Sequence, residues 1–127
     1  MKSSFNKPQS EAITHGKGPA LILAGPGSGK TLVITQRVKN LIEKQHIRPS
    51  NILVITFTKA AATQMKERFT ILMGEGRYPV TFGTFHAVFF SVLKNAYHYT
   101  AQNIIREEKK YQILYDIIHR MELEYED

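Results

Sequence analysis

The stretch AGPGSGKT at residues 24–31 is the part of this sequence that decides its fold. It matches the phosphate-loop pattern G-x-x-x-x-G-K-[ST], except that Ala24 stands at the first position. Glycines permit positive φ angles, so successive backbone N–H groups can point at phosphate oxygens. The apolar run ALILA at 20–24 and a helical pattern from residue 31 flank the loop. This context predicts a strand, a phosphate-binding loop and a helix.

The residues of the loop predict a site for a nucleotide and Mg²⁺. The Lys30 ammonium is expected to neutralise the β- and γ-phosphates, and the Thr31 hydroxyl to ligate Mg²⁺. The N-terminus of the following helix adds partial positive charge. The alternative is a glycine-rich turn that binds nothing. The predicted nucleotide-binding residues of the loop are Ala24, Gly25, Pro26, Gly27, Ser28, Gly29, Lys30 and Thr31.

Strand and helix patterns alternate along the chain. Continuous apolar runs predict buried strands at 20–24 and 52–57, and VTFG at 80–83 predicts a third short strand. Helical periodicity and capping residues predict helices from Asn6, over 31–45, 59–73 and 84–97, and over about 107–121. The alternation predicts an α/β fold with a parallel sheet, flanking helices and right-handed crossovers, followed by a helical C-terminal segment. Three strands make a thin sheet, so we expect it to be incomplete.

Composition limits the classes of protein to consider. The 127 residues contain no cysteine, and no apolar run approaches the roughly 20 residues of a membrane span. We therefore expect a cytoplasmic protein with no membrane partner. Residues 1–106 carry 14 basic and four acidic side chains, whereas residues 107–127 carry three basic and seven acidic ones. A basic body suits a polyanionic partner such as nucleic acid, although a simply basic surface has the same charge.

Four segments in order resemble the motifs of superfamily 1 helicases of the UvrD/Rep/PcrA type. They are FNKPQSEAI at 5–13 (Q motif), AGPGSGKT at 24–31 (motif I), ITFTKAAATQMKERF at 55–69 (motif Ia) and FGTFHAVFFSVLK at 82–94 (motif Ib). The resemblance implies a RecA-like P-loop motor domain that uses ATP and Mg²⁺. It places partial motor domain 1A at 1–100 and the start of helical subdomain 1B at 101–127.

The resemblance also implies nucleotide contacts outside the loop. Gln9 matches the glutamine that reads the adenine edge, and its carboxamide can both donate to N7 and accept from N6. A capping role for Gln9 on the first helix is compatible with that reading. Arg37 matches an arginine of the family's extended motif I. Leu32 stands where the family often has another arginine, directly after the GKT sequence.

Motifs Ia and Ib imply contacts with single-stranded DNA at the carboxyl ends of two strands. Phe57 could stack on a base or belong to the core, while Thr58 and Lys59 could contact phosphate. Thr84 and His86, at a helix start, are candidate phosphate donors, although a histidine there can also be structural. Phe85, Phe89 and Phe90 are expected in the core. Lys59 and Ala60 replace the family's usual Asn-Lys, a form more like the AddA/RecB branch, so the subfamily stays open.

The sequence contains no Walker B pattern, an apolar strand that ends in Asp-Glu. We therefore expect the N-terminal segment of a 3′→5′ DNA helicase or translocase, with little or no turnover by itself. The implied partners are single-stranded or 3′-tailed duplex DNA and the remainder of the helicase. A P-loop kinase leaves the Ia-like and Ib-like segments unexplained. A non-catalytic DNA-binding module leaves Lys30 and Thr31 without a purpose.

Overall fold

The structure, a computed structural model, describes residues 5–121 and shows an α/β chain rich in helices. The elements are α1 (Lys7–Thr14), α2 (Lys30–Glu43), β1 (Leu53–Thr56), α3 (Lys59–Met73), β2 (Thr81–Thr84), α4 (Phe85–Tyr97) and α5 (Glu107–Arg120), with short 3₁₀ turns at Pro49–Asn51 and Ala101–Asn103.

Strands β1 and β2 form a two-stranded parallel sheet. Leu53 pairs with Thr81 at one end of the register, and Thr56 pairs with Thr84 at the other. Helix α3 connects the two strands, as a parallel pair requires. The predicted strands at 52–57 and 80–83 are therefore confirmed, with small changes at their ends.

The helix ends follow the capping residues that the sequence supplies. Asn6 and Gln9 form a reciprocal capping box at the start of α1. The Thr58 hydroxyl accepts a hydrogen bond from the Ala61 N–H at 3.1 Å, so α3 begins at the predicted residue. The Thr84 hydroxyl accepts from the Ala87 N–H at 3.2 Å and caps α4 in the same way.

The predicted buried strand at 20–24 is wrong. These residues lie outside regular secondary structure, and the side chains of Leu21, Ile22 and Leu23 are 86%, 52% and 87% exposed. A strand is held by ladder hydrogen bonds to a neighbour, and the sheet of the described residues consists of β1 and β2. Within residues 5–121 no third strand pairs with this segment, so its apolar side chains face solvent.

Two clusters of buried side chains hold the helices in place. The first joins Ala12 and Ile13 of α1 to Val33 of α2, with Phe5 packed against it. The second consists of Val38 of α2, Ile52 just before β1, and Phe69 of α3. The Phe69 ring lies 5.5 Å from Phe82 and 6.3 Å from Tyr78, measured between centroids. The second cluster therefore fixes α2 and α3 around the short sheet.

The described residues fall into two compact units, one ending at Val88 and the other beginning at Phe89, within α4. The first unit contains the glycine loop and the sheet. The second contains most of α4 and the whole of α5, whose apolar side chains Tyr111, Leu114 and Ile117 are 66%, 46% and 44% exposed. The domain division at residue 100, which rests on the resemblance, stays a prediction.

Candidate functional site

Gln9 joins the first helix to the glycine loop. Its Oε1 accepts from the Asn6 N–H at 3.1 Å, while the Asn6 Oδ1 accepts from the Gln9 N–H at 2.9 Å. The Gln9 Nε2 donates to the Ser28 carbonyl at 3.1 Å. The capping role predicted for Gln9 is confirmed. The same side chain also contacts the loop, which the sequence did not indicate.

Two glycines of the loop adopt positive φ angles. Gly27 and Gly29 have φ angles of 73° and 81°, in the region that favours glycine. Gly29 is the N-cap of α2, and no side chain of the described residues caps that helix. The first N–H groups of α2 are thus left without a side-chain acceptor at an exposed helix start, which is an arrangement suited to an anion.

Lys30 folds back over the loop that precedes it. Its Nζ donates to the Gly25 carbonyl at 2.7 Å and lies 3.5 Å from the Ala24 carbonyl. The ammonium group therefore lies at the loop, where it can neutralise an anion that the loop holds. The next residue, Thr31, is half-buried in the first turn of α2.

Arg37 contacts the end of α1. Its Nη1 donates to the carbonyls of Ala12 at 2.8 Å and His15 at 2.9 Å. The Gln45 Nε2 donates to the same His15 carbonyl at 3.3 Å. A cation at the C-terminal carbonyls of a helix is favourable, both for its hydrogen bonds and for the helix dipole. A direct nucleotide contact by Arg37 stays a prediction, and the hydrogen bonds that its guanidinium makes go to α1.

A cavity of about 380 Å³ lies between α1, the loop and α2. Gln9, which is predicted to read a base, and Lys30, which is predicted to bind phosphate, both line this cavity. Its apolar wall comes from residues on three segments: Ala12, Ile22, Leu23, Val33 and Ile34. Ligand sites typically combine such an apolar wall with a few polar groups.

A second candidate surface lies at the carboxyl ends of β1 and β2. Thr56 and Thr84 are the last registered pair, and Phe57 and Phe85 follow them directly. The two phenylalanine rings are 5.7 Å apart between centroids, with an angle of 49° between their planes. Phe57 is 91% exposed, so it does not belong to the core of the described residues. Phe85 is 44% exposed, so its predicted place in the core is wrong as well.

The polar residues predicted to contact DNA at this edge are close neighbours of Phe57 and Phe85 in the sequence. Thr58 and Thr84 cap α3 and α4 with their hydroxyl oxygens, and each hydroxyl keeps a proton to donate. Lys59 begins α3 and is exposed, as is His86 in the first turn of α4. The structure thus places two helix N-termini beside two exposed aromatic rings. Phe89 is also exposed, at 60%, contrary to its predicted burial.

Sequence reasoning missed Phe85 as a partner of Phe57 and missed the link from Arg37 to α1. The first could have been found from the parallel pairing, which brings the residues after two neighbouring strands to one edge. The second had no signal in the local pattern, because Arg37 and Ala12 are 25 residues apart in the chain.

Comparison with known proteins identifies the family. Residues 5–127 match the UvrD/REP helicase N-terminal domain, and the chain belongs to that family. It is 44% identical to the ATP-dependent DNA helicase PcrA of Bacillus subtilis over 92 residues, which are 72% of this chain and 12% of that protein. Matches to PcrA of Staphylococcus epidermidis (91 residues) and Staphylococcus aureus (90 residues) have the same identity.

The chain therefore spans about an eighth of the length of the curated relatives it matches. It is a UvrD/PcrA-type superfamily 1A N-terminal segment, as the four motifs predicted. Across residues 5–121 no helix is long and apolar enough to cross a membrane. The same residues contain no cluster of three or more His, Asp or Glu side chains that could hold a metal ion.

Proposed function

We propose that this chain is the N-terminal part of an ATP-dependent 3′→5′ DNA helicase or translocase. The observation that carries the proposal is that one compact unit contains both a glycine loop and an exposed aromatic edge, in a chain that belongs to this family. The first unit is accordingly part of a RecA-like P-loop motor domain. We assign residues 1–100 to motor domain 1A and residues 101–127 to the start of subdomain 1B.

The residues at the loop fit Mg²⁺-ATP. Gly27 and Gly29 adopt positive φ angles, and a Cβ added at Gly27 would meet no atom within 4 Å. The loop backbone and Lys30 would hold the phosphates, and Thr31 would ligate Mg²⁺. Arg37 remains a predicted nucleotide-site residue, because its hydrogen bonds to the Ala12 and His15 carbonyls hold α1, the helix that carries Gln9. Hydrolysis of the β–γ phosphoanhydride bond of bound ATP would provide the free energy for movement along DNA.

Gln9 can bind an adenine without losing its contacts. A carboxamide offers two N–H donors and two acceptor lone pairs. The Ser28 carbonyl takes one donor, and the Asn6 N–H takes one lone pair. One donor and one acceptor are left, which match the N7 acceptor and the N6 donor of adenine.

The aromatic edge fits single-stranded DNA. The exposed face of Phe57 can stack on a base, an interaction worth about 1–3 kcal/mol. Thr58, Lys59, Thr84 and His86 are the proposed phosphate contacts, because hydroxyls, cations and helix N-termini bind phosphate oxygens. The partner is single-stranded DNA or the tail of a 3′-tailed duplex.

The exposed segment at 21–23 supports a further partner, the remainder of the helicase. Leu21, Ile22 and Leu23 are apolar and largely exposed, next to the proposed nucleotide site. We infer that a later strand of the longer protein pairs with this segment and completes the sheet. The chain alone is then expected to hydrolyse ATP slowly or not at all, since it lacks a Walker B pattern.

The alternatives have less support. The 44% identity to PcrA favours the UvrD/PcrA type over the AddA/RecB type that Lys59 and Ala60 suggested. A P-loop kinase would not explain the exposed Phe57 and Phe85 pair at the strand ends. A DNA-binding module without nucleotide turnover would not explain the placement of Lys30 over the loop.

The direction in which the full-length parent unwinds DNA tests this proposal. The assay compares unwinding of a 3′-tailed and a 5′-tailed duplex of identical sequence, with ATP and Mg²⁺. Unwinding only from the 3′ tail, absent in Lys30→Ala and retained in Lys39→Ala, is the expected result. Lys39 is a suitable control because it lies on the same helix and pairs with Glu43. Unwinding from the 5′ tail alone would contradict the proposed direction.

A further inference from the structure

We propose that Arg37 is a positioning residue for Gln9, and that it sets adenine selectivity through α1 without touching the base. The inference rests on the proposed function, in which Gln9 reads adenine. It concerns how the orientation and place of that one carboxamide are maintained.

Two partners of fixed polarity orient the Gln9 carboxamide. The Asn6 N–H can only donate, and it faces Oε1 at 3.1 Å. The Ser28 carbonyl can only accept, and it faces Nε2 at 3.1 Å. A flip of the carboxamide would place like groups together at both contacts. The side chain therefore keeps Nε2 for the N7 acceptor and Oε1 for the N6 donor of adenine, whereas in guanine the same Oε1 would face O6, which is an acceptor.

The position of Gln9 depends on where α1 lies. Helix α1 has eight residues, or about 12 Å at 1.5 Å per residue, and helices this short are marginal in isolation. Its placement must therefore come from tertiary contacts. Ala12 and Ile13 supply a small apolar contact with Val33 of α2.

Arg37 supplies the polar contact at the opposite end of α1 from Gln9. Its Nη1 donates to the Ala12 carbonyl at 2.8 Å and the His15 carbonyl at 2.9 Å, within a half-buried region. Hydrogen bonds from a charged donor are stronger than neutral ones. Gln45 adds a longer contact, at 3.3 Å, to the His15 carbonyl. Loss of the guanidinium would release the C-terminal end of α1 and tilt the turn that carries Gln9.

The test measures kcat/KM for ATP and for GTP in the DNA-stimulated reaction of the full-length parent. The variants are Gln9→Ala, Arg37→Ala, Arg37→Lys, Gln45→Ala and the control Lys39→Ala on the same helix. A general loss of folded enzyme lowers both kcat/KM values by the same factor, whereas a displaced Gln9 lowers the ratio of ATP to GTP. The ratio is therefore a readout that a merely structural defect does not change.

We expect Gln9→Ala to lower the ratio by about tenfold and Arg37→Ala by about threefold or more, because lost hydrogen bonds of this kind have such effects. Arg37→Lys should restore part of the ratio, and Gln45→Ala should shift it less, in the same direction. If Arg37→Ala does not fold, the Gln45→Ala and Arg37→Lys ratios decide.

Two results would overturn the inference, and they are distinguishable. A lowered ratio in Gln9→Ala with unchanged ratios in the Arg37 and Gln45 variants would show that Gln9 reads adenine without the help of Arg37. An unchanged ratio in Gln9→Ala would remove adenine reading by Gln9 from the proposed function, and the role of Arg37 with it.

Discussion

Phe57 and Phe85 lie with their ring centroids 5.7 Å apart because each follows the last registered residue of a parallel strand. Thr56 pairs with Thr84, so the next residue on each strand arrives at the same edge. The two rings are tilted by 49°, and Phe57 keeps 91% of its surface exposed. The ring face of Phe57 is therefore available for stacking, and a base is the partner we propose.

Phe57→Ala in the full-length parent should weaken binding of single-stranded DNA by about 5- to 150-fold, the equivalent of about 1–3 kcal/mol per stacked base. Fluorescence anisotropy with a short oligonucleotide measures the change in Kd. An oligonucleotide of the same length without bases is the control, because it keeps the phosphates. Equal losses on both oligonucleotides would mean that Phe57 does not stack on a base.

Phe85→Ala should reduce the same affinity, and its effect should not add to that of Phe57→Ala. The two rings are in contact, so removing either one alters the environment of the other. A double-mutant cycle on DNA affinity measures this coupling. Strict additivity of the two single substitutions would show that the rings act independently.

Gly29→Ala should impair nucleotide binding while Gly16→Ala should not. Gly29 has a φ of 81°, where a Cβ costs at least about 1 kcal/mol. Gly16 has open space around its Cβ position and no positive φ. The KM for ATP in the parent should rise by about fivefold or more for Gly29→Ala. Matching KM values for the two variants would argue against the proposed loop conformation.

Asn6→Ala should destabilise the chain by about 0.5–2 kcal/mol, the usual cost of losing an N-cap side chain. The Asn6 Oδ1 accepts from the Gln9 N–H at 2.9 Å, and that bond disappears in the variant. Urea unfolding followed by circular dichroism gives the change in unfolding free energy. Asn6→Ser, which keeps a capping oxygen, should recover most of the loss; a Ser variant as unstable as the Ala variant would exclude capping as the cause.

Leu23→Ser should leave the stability of the chain unchanged but destabilise its parent. In the chain Leu23 is 87% exposed, so a polar replacement should leave the unfolding free energy unchanged and reduce aggregation. In the parent we expect this segment to pair with a later strand, and the loss of a buried leucine should cost about 2–5 kcal/mol. Thermal unfolding of both proteins measures the difference. An unaffected parent would contradict the inferred pairing.

The sequence predicted the elements that local signals specify. Helix α3 begins and ends where the Thr58 cap and Gly74 place it, and the capping box of Asn6 and Gln9 sets the start of α1. The failure at 20–24 has a different origin. Apolar character alone predicted a buried strand, yet burial and pairing depend on a neighbouring segment that local patterns do not reveal.

The candidate site was predictable to a similar extent. Motif spacing found the loop and both strand ends, but whether Phe85 is buried depends on how the strand ends pack. The contact from Arg37 to the Ala12 carbonyl is likewise a long-range relationship, formed by two helices packed through the Ala12 and Val33 cluster. Side-chain partners that depend on packing between helices were therefore the ones missed.

The most direct test of the central claim is ATP hydrolysis by the full-length parent, measured with and without single-stranded DNA, beside its Lys30→Ala and Lys39→Ala variants. The account predicts strong stimulation by DNA that Lys30→Ala abolishes and Lys39→Ala retains, because Lys30 donates to a loop carbonyl whereas Lys39 pairs with Glu43. Turnover that is indifferent to DNA, or that survives Lys30→Ala, would contradict it.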